Sequence, residues 1–205
     1  MKLVFLGKQG SGKGTQAEII SRELGLCHIS TGDLLRNTKG KIGKQIHSLI
    51  DKGEMVSDEL IFEILKKRIK KPDCKNGFIL EGFPRNLKQA IMLENQIDID
   101  LIIEIYLPDN LVINRLIHRL NCSKCGAVFN SVTNPPKKSG ICDFCGGKLI
   151  KRQDDNKQAI KKRLELYHKN FWPIIDFLRD KIIRIDGSKK IPEVTREILN
   201  ALETF

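Results

Sequence analysis

Short apolar runs alternate with stretches of helical periodicity along the chain. Leu3-Val4-Phe5-Leu6 is a continuous apolar run of strand length, and residues 16–24 place apolar positions at helical spacing. A second short strand is expected at residues 27–29, followed by a helix that Ser30 or Thr31 can cap, with Asp33 near its positive end. Ile42, Ile46, Leu49 and Ile50 continue at helical spacing, with Gly53 as a stop, so residues 30–56 read as a small helical flap. Ser57-Asp58-Glu59 opens a helix carrying Leu60, Ile61, Ile64, Leu65 and Ile69. Residues 77–81 form a strand that ends in Glu81, and Gly82-Phe83-Pro84-Arg85 turns into a helix capped by Asn86. A strand at Leu101–Tyr106 precedes a helix that Pro108-Asp109 opens and that runs to about Leu120. Residues 121–150 break the pattern. A long charged helix over about 155–180, perturbed near Pro173, then leads to a fifth strand at 182–185 and a closing helix with Pro192 in its first turn. Strands alternating with helices predict an α/β fold, a five-stranded parallel sheet with helices on both faces. In such sheets ligands gather at the C-terminal strand ends.

The segment between the first strand and first helix carries the sharpest chemistry. It reads Gly7-Lys8-Gln9-Gly10-Ser11-Gly12-Lys13-Gly14-Thr15. Glycines let backbone N–H groups approach an anion, the helix N-terminus adds donors and a favourable dipole, and Lys13 adds a full charge. The spacing Gly7-x4-Gly12-Lys13 fits a P-loop, with Gly14 in the usual Ser/Thr position and a hydroxyl one place later at Thr15. A flexible glycine-rich turn is the plain alternative, and the flanking strand and helix argue against it.

Cysteine usage adds a second site. Cys122-x2-Cys125-x16-Cys142-x2-Cys145 is a pair of knuckles with the spacing of a structural zinc site, iron being the other metal such a set takes. Four thiolates leave no open position, so the metal stands in for a core that about 30 residues cannot build. The formal charge of +11, from 36 Lys+Arg against 25 Asp+Glu, points to anionic partners: nucleotides, nucleic acid or a membrane surface. A zinc ribbon can bind nucleic acid, but Phe129 and Phe144 are the only aromatic residues of the insert and suit its own packing. Arg115, Arg119 and Arg152 flank it, and arginines at the hinges of a flap suit phosphate clamping. No run of eighteen apolar residues exists, and the first strand begins at once; a cytoplasmic protein without membrane span or leader is the expectation.

Four segments taken together resemble adenylate kinases: Gly10-Ser11-Gly12-Lys13-Gly14-Thr15-Gln16, Ser30-Thr31-Gly32-Asp33-Leu34-Leu35-Arg36, Gly82-Phe83-Pro84-Arg85 with Gln89, and Arg152-Gln153-Asp154-Asp155. They stand in the family's order over essentially the whole chain, and the cysteine insert resembles the zinc-bearing lid of the long members. The resemblance implies ATP + AMP ⇌ 2 ADP with Mg2+, a structural Zn2+, and a monomer with no nucleic-acid or membrane partner. It implies a core of residues 1–29, 57–117 and 156–205, an AMP-binding flap of 30–56 and a lid of 118–155. ATP would be held by Gly10, Ser11, Gly12, Lys13, Gly14, Thr15, Arg115, Val128, Phe129 and the backbone of Lys189. AMP would be held by Thr31, Arg36, Glu54, Met55, Val56, Gly82, Phe83, Pro84, Arg85 and Gln89, with Arg152 and Arg163. Lys13, Arg85, Arg119, Arg152 and Arg163 would carry the charge of the transferred group, and Glu81 would orient magnesium through water.

The chain departs from the family pattern at several places. Gln9 replaces a common proline, Glu81 replaces an aspartate, and His118 and Leu120 flank Arg119 where smaller or basic residues are usual. Two rival readings are a nucleoside monophosphate kinase for UMP or CMP and a nucleotide-gated zinc-ribbon module that binds nucleic acid. Thr31, Gln89 and the four-cysteine lid favour AMP over the first. Salt-dependent nucleic-acid binding without ADP formation would favour the second.

Overall fold

In a computed structural model, residues 1–51, 56–152 and 155–205 are described. In chain order the elements are β1 (Lys2–Leu6), α1 (Lys13–Leu24), β2 (Cys27–Ser30), α2 (Thr31–Arg36), α3 (Gly40–Asp51), α4 (Asp58–Ile69), β3 (Phe78–Glu81), α5 (Leu87–Glu94), β4 (Leu101–Tyr106), α6 (Asp109–Ile117), β5 (Arg119–Cys122), β6 (Val128–Asn130), β7 (Leu149–Ile150), α7 (Lys157–Leu178), β8 (Ile182–Asp186) and α8 (Ile191–Glu203). Gly53, read above as a helix stop, lies outside the described residues.

Five parallel strands order as β2-β3-β1-β4-β8. Their side chains alternate between two cores, as a period of two requires. Val4, Leu6, Leu80 and Ile102 share one cluster with residues of α4, α5 and α7, whereas Leu3, Phe5, Ile79, Ile103 and Ile105 share the other with residues of α1 and α8. Both faces are covered, which is why these strands read as unbroken apolar runs. The capping expected at the flap is present: Ser30 precedes α2 and its hydroxyl accepts from the Asp33 amide at 3.3 Å. Asn86 caps α5 in the same way.

The structure shortens one expected helix. α6 ends at Ile117, not near Leu120, because Arg119, Leu120 and Asn121 pair antiparallel with Asn130, Phe129 and Val128. A small sheet, β6-β5-β7, therefore begins directly after α6. Phe129 is buried there with Leu149, Cys122 and Cys142.

A charged pair crosses the main sheet. Glu104, a β4 residue 1% exposed, accepts from Arg184 Nε at 2.7 Å, and the two are register partners. The other Glu104 oxygen has no partner. Removing the cation strands a buried carboxylate. Arg184→Ala is expected to lower stability by about 2 kcal/mol, less than for a fully buried pair because Arg184 is half-exposed, and Tm by roughly 4–8 °C. Thermal denaturation checks this, and Glu104→Gln added to Arg184→Ala should recover more than half of the loss.

Candidate active site

Segments at the C-terminal ends of β1, β2, β3 and β8 converge with α6, α7 and the cysteine-rich insert on one cleft of about 880 Å3. The first is the glycine-rich loop between β1 and α1. Gly12 sits immediately before α1 with φ 103°, a left-handed value that brings the amides of the first helical turn to face the cleft without a side chain in the way. The Ser11 hydroxyl is buried and has no partner in the protein, an acceptor and donor waiting for a ligand. Lys13 Nζ donates to the Lys8 carbonyl at 3.2 Å and lies 3.4 Å from Glu81 Oε1. Burial pulls the Lys13 ammonium below its usual value against the attraction of Glu81. Burial alone would push Glu81 up, but Lys13 first, then His28, Ser30 and Arg85, hold its carboxyl below the usual range. The Lys13 amine and the ionised Glu81 carboxylate thus face each other on the cleft floor.

Lys8 and Gln9, neither given a role by the sequence, lock this loop to the fold. Lys8 is 7% exposed. It forms an ion pair with Asp109, donates to the Leu107 carbonyl at 3.1 Å and lies over the rings of Tyr106 and Tyr167. Gln9 accepts from Arg163 Nη1 at 2.9 Å, so the departure from proline gives the loop a hydrogen bond to α7. Neither contact has a signal in the sequence, because both join positions far apart in the chain.

On the β2–β3 side, Arg36, Gly82, Pro84 and Arg85 line the cleft, while Thr31, Val56, Phe83 and Gln89 stand behind its wall. Thr31 Oγ1 donates to the Glu81 carbonyl at 3.0 Å. A Cβ on Gly82, where φ is 84°, would sit 2.7 Å from that Oγ1, so only glycine turns the chain here. Gln89 is fully buried; its Oε1 accepts the Arg85 amide at 2.7 Å and its Nε2 donates to Asp58 at 2.7 Å. Phe83 is stacked on Phe62 with centroids 5.9 Å apart. These residues hold the turn that presents Arg85. Arg36 pairs with Asp33 at 2.7 Å, and although burial opposes ionisation the guanidinium holds the Asp33 carboxyl below its usual range. Glu54, Met55, Gln153 and Asp154 lie outside the described residues.

The remaining arginines come from α6, α7 and the cysteine-rich insert. Arg115 spans the loop and the β8 end, donating to the carbonyls of Ser11 at 3.2 Å and Gly187 at 2.8 Å. Arg119 makes a bidentate pair with Asp155 at 2.8 and 2.6 Å, and Arg163 reaches the same carboxylate at 4.0 Å. Arg152 Nε donates to Asn121 at 2.9 Å. Asp155, which the sequence showed only as part of the Arg152–Asp155 motif, gathers two of these arginines. Val128 is exposed at the cleft, Phe129 is packed in the insert, and the Lys189 ammonium is taken by Glu197 at 2.5 Å, which leaves its backbone for other contacts.

The four cysteine sulfurs of the insert lie within 4.8 Å of one another. Cys122 to Cys145 is 3.4 Å and Cys125 to Cys142 is 3.6 Å. A tetrahedron with metal–sulfur bonds of about 2.3 Å has edges of about 3.8 Å, so the donor set fits zinc. The amides of Cys125 and Lys124 donate to Cys122 Sγ, hydrogen bonds that favour the thiolate a metal needs at that sulfur.

Comparison with known proteins follows the same outline. A family model described as Adenylate kinase matches residues 5–183. An adenylate kinase of Caldicellulosiruptor saccharolyticus is 45% identical over 98% of this chain and 99% of its own length. Those of Acetivibrio thermocellus and Archaeoglobus fulgidus are 44% and 42% identical, over 98% and 99% of this chain and 98% of each relative.

Proposed function

The chain belongs to the adenylate kinase family, and on that premise we propose how its residues carry out ATP + AMP ⇌ 2 ADP. The observation that carries the reading is the convergence of the glycine-rich loop, Arg36, Arg85, Arg115, Arg119, Arg152 and Arg163 on one cleft. That is more cationic charge than one triphosphate needs and suits two nucleotides bound face to face.

In this reading the loop from Gly10 to Thr15 binds the ATP phosphates through its amides, the Ser11 hydroxyl and Lys13. Arg115 flanks the adenine with the Lys189 backbone, and Val128 and Phe129 belong to the lid edge. AMP lies between α2 and the Gly82–Arg85 turn, its phosphate taken by Arg36 and Arg85. Thr31, Val56, Phe83 and Gln89 act by shaping that wall; Glu54 and Met55 belong to the same proposal. Arg119, Arg152 and Arg163 take the transferred group as residues 118–155 close over residues 30–56 and the core. Closure excludes the water that would otherwise accept the phosphoryl group. The acceptor is an ionised phosphate oxygen, so no general base is required, and the residues act by position and charge.

Mg2+ supplies charge neutralisation across the phosphates when bound; Glu81, held ionised at the cleft floor, and Thr15 would hold it. Zn2+ would be held by Cys122, Cys125, Cys142 and Cys145. No described helix is long and apolar enough to cross a membrane. We propose a monomer, because the cleft is completed within one chain, and a cytoplasmic one, where thiolate ligands stay reduced.

A coupled assay of the purified protein with ATP and each of AMP, CMP, UMP and GMP tests the reading. Activity confined to AMP is the expected result. Arg85→Ala should cut turnover about a hundredfold, with unchanged thermal stability. Faster turnover with CMP or UMP, or salt-dependent RNA or DNA binding with no ADP formed, would overturn it.

A further inference from the structure

Cys27 and Cys74 belong neither to the nucleotide cleft nor to the lid cluster. Cys27 opens β2, and Cys74 closes the short 3-10 turn Pro72–Cys74 that precedes β3. Both are buried, at 8% and 6% exposure, and their sulfurs lie 2.7 Å apart. That is within about 0.7 Å of a disulfide bond length. Arg68, in the last turn of α4, forks between them: Nη1 donates to Cys74 Sγ and Nη2 to Cys27 Sγ, each at 3.0 Å. The same nitrogens pair with Asp73 at 2.9 and 2.7 Å. A guanidinium that donates to both sulfurs stabilises a thiolate there. It also takes up the donor atoms of Cys27, Asp73 and Cys74 that a cation would otherwise use.

We propose that Cys27 and Cys74 form a redox-active dithiol that a hydroperoxide oxidises to an intramolecular disulfide. The Cys74 sulfur attacks a peroxide oxygen; the O–O bond breaks, an S–O bond forms, and the departing hydroxide takes up the Cys74 thiol proton as water. Cys27 then attacks the sulfenic sulfur; the S–O bond breaks, the S–S bond forms, and its thiol proton leaves with the second hydroxide as water. Two electrons pass from the sulfurs to one hydroperoxide, which is reduced to two waters when it is hydrogen peroxide. Burial, with the Cys74 hydrogen bond second, pushes the Cys27 thiol up to about 12, which suits it to the second role.

The position of the pair decides what the bond does. Cys27 is level with Phe78 at the N-terminal ends of β2 and β3, whereas Ser30 and Glu81 pair at the C-terminal ends that border the cleft. The bond would close the loop that carries α2, α3 and α4 while leaving the nucleotide site in place. Its effect falls on the unfolded chain, which loses loop freedom, and not on turnover.

The test treats zinc-loaded protein with about one equivalent of hydrogen peroxide. Expected are a loss of two hydrogen masses, a peptide linking residues 27 and 74, and retention of one zinc per chain. A reductant-reversible rise in Tm of roughly 5–10 °C should accompany them, with turnover changed less than twofold. Cys27→Ser should keep turnover and lose both the mass change and the Tm rise. Oxidation found only at lid cysteines with zinc release, or a second metal ion per chain protecting Cys27 and Cys74, would overturn the proposal. Peptide mapping of the unmutated protein needs no variant, so it decides the matter even where Cys27→Ser folds poorly.

Discussion

Lys13→Met is expected to lower kcat about a thousandfold, roughly 4 kcal/mol of transition-state stabilisation, while the protein stays folded. The cost follows from where the ammonium stands. It lies at the cleft floor against the first turn of α1, 3.4 Å from Glu81, and burial has already stripped most of its water. A cation so placed needs little reorganisation when charge develops on a phosphoryl group beside it, and a thioether cannot replace it. Stability should suffer less. Methionine matches the stem length, and Glu81 keeps Ser30, His28 and Arg85 as neighbours favouring its charge. Circular dichroism and Tm measured alongside kcat separate the two effects: a change in Tm of less than about 5 °C with the full kinetic loss is the expected pattern. Near-normal turnover would remove Lys13 from the proposed mechanism and with it the assignment of the loop.

The second large effect concerns the lid. Stripping zinc with a chelator, then restoring Mg2+ for the assay, should lower Tm by roughly 5–15 °C and abolish most activity. The insert's buried apolar set is small, with Phe129 and Leu149 accompanied by Cys122 and Cys142 themselves. Two of the four members are thus proposed ligands, and without the metal the cluster would lose its charge balance and half its packing. Arg119 lies on β5 and Arg152 just beyond β7, so an unfolded insert would also withdraw two of the proposed phosphate-binding groups. Cys122→Ser should reproduce the loss without a chelator. A zinc-free protein with unchanged Tm would show that the sulfurs hold no structural metal.

The main sheet and its phosphate loop were legible because their signals are local. Leu3-Val4-Phe5-Leu6 is apolar throughout since both faces of β1 are buried, and a glycine-rich segment between strand and helix has few other uses. The small sheet of the insert was not legible, because three-residue and two-residue strands carry no periodicity; only the cysteine spacing marked the region. The end of α6 was misplaced for a related reason: Leu116, Ile117 and Leu120 continue a helical pattern, and nothing nearby reports the pairing with β6. Long-range polar partners were invisible altogether. Glu104 interrupts an apolar run without showing that Arg184 waits on β8, and Gln9 gives no hint of Arg163. Thr31 and Gln89 were read by resemblance as AMP-binding, and nothing local announced that their side chains also engage the Glu81 carbonyl, the Arg85 amide and Asp58.

Asp155 has a consequence for how the cleft fills. It is almost fully buried and already supplies Arg119 and Arg163 with a carboxylate. On the proposed reading an incoming phosphate meets no bare charge; it exchanges one anion for another, and Asp155 is the ion displaced. The displaced carboxylate is tethered, so fewer free counter-ions are released than the number of arginines implies, and nucleotide affinity should fall less steeply with ionic strength. When ADP departs, the same carboxylate recaptures the arginines, so the emptied cleft has no need to recruit a counter-ion from solution.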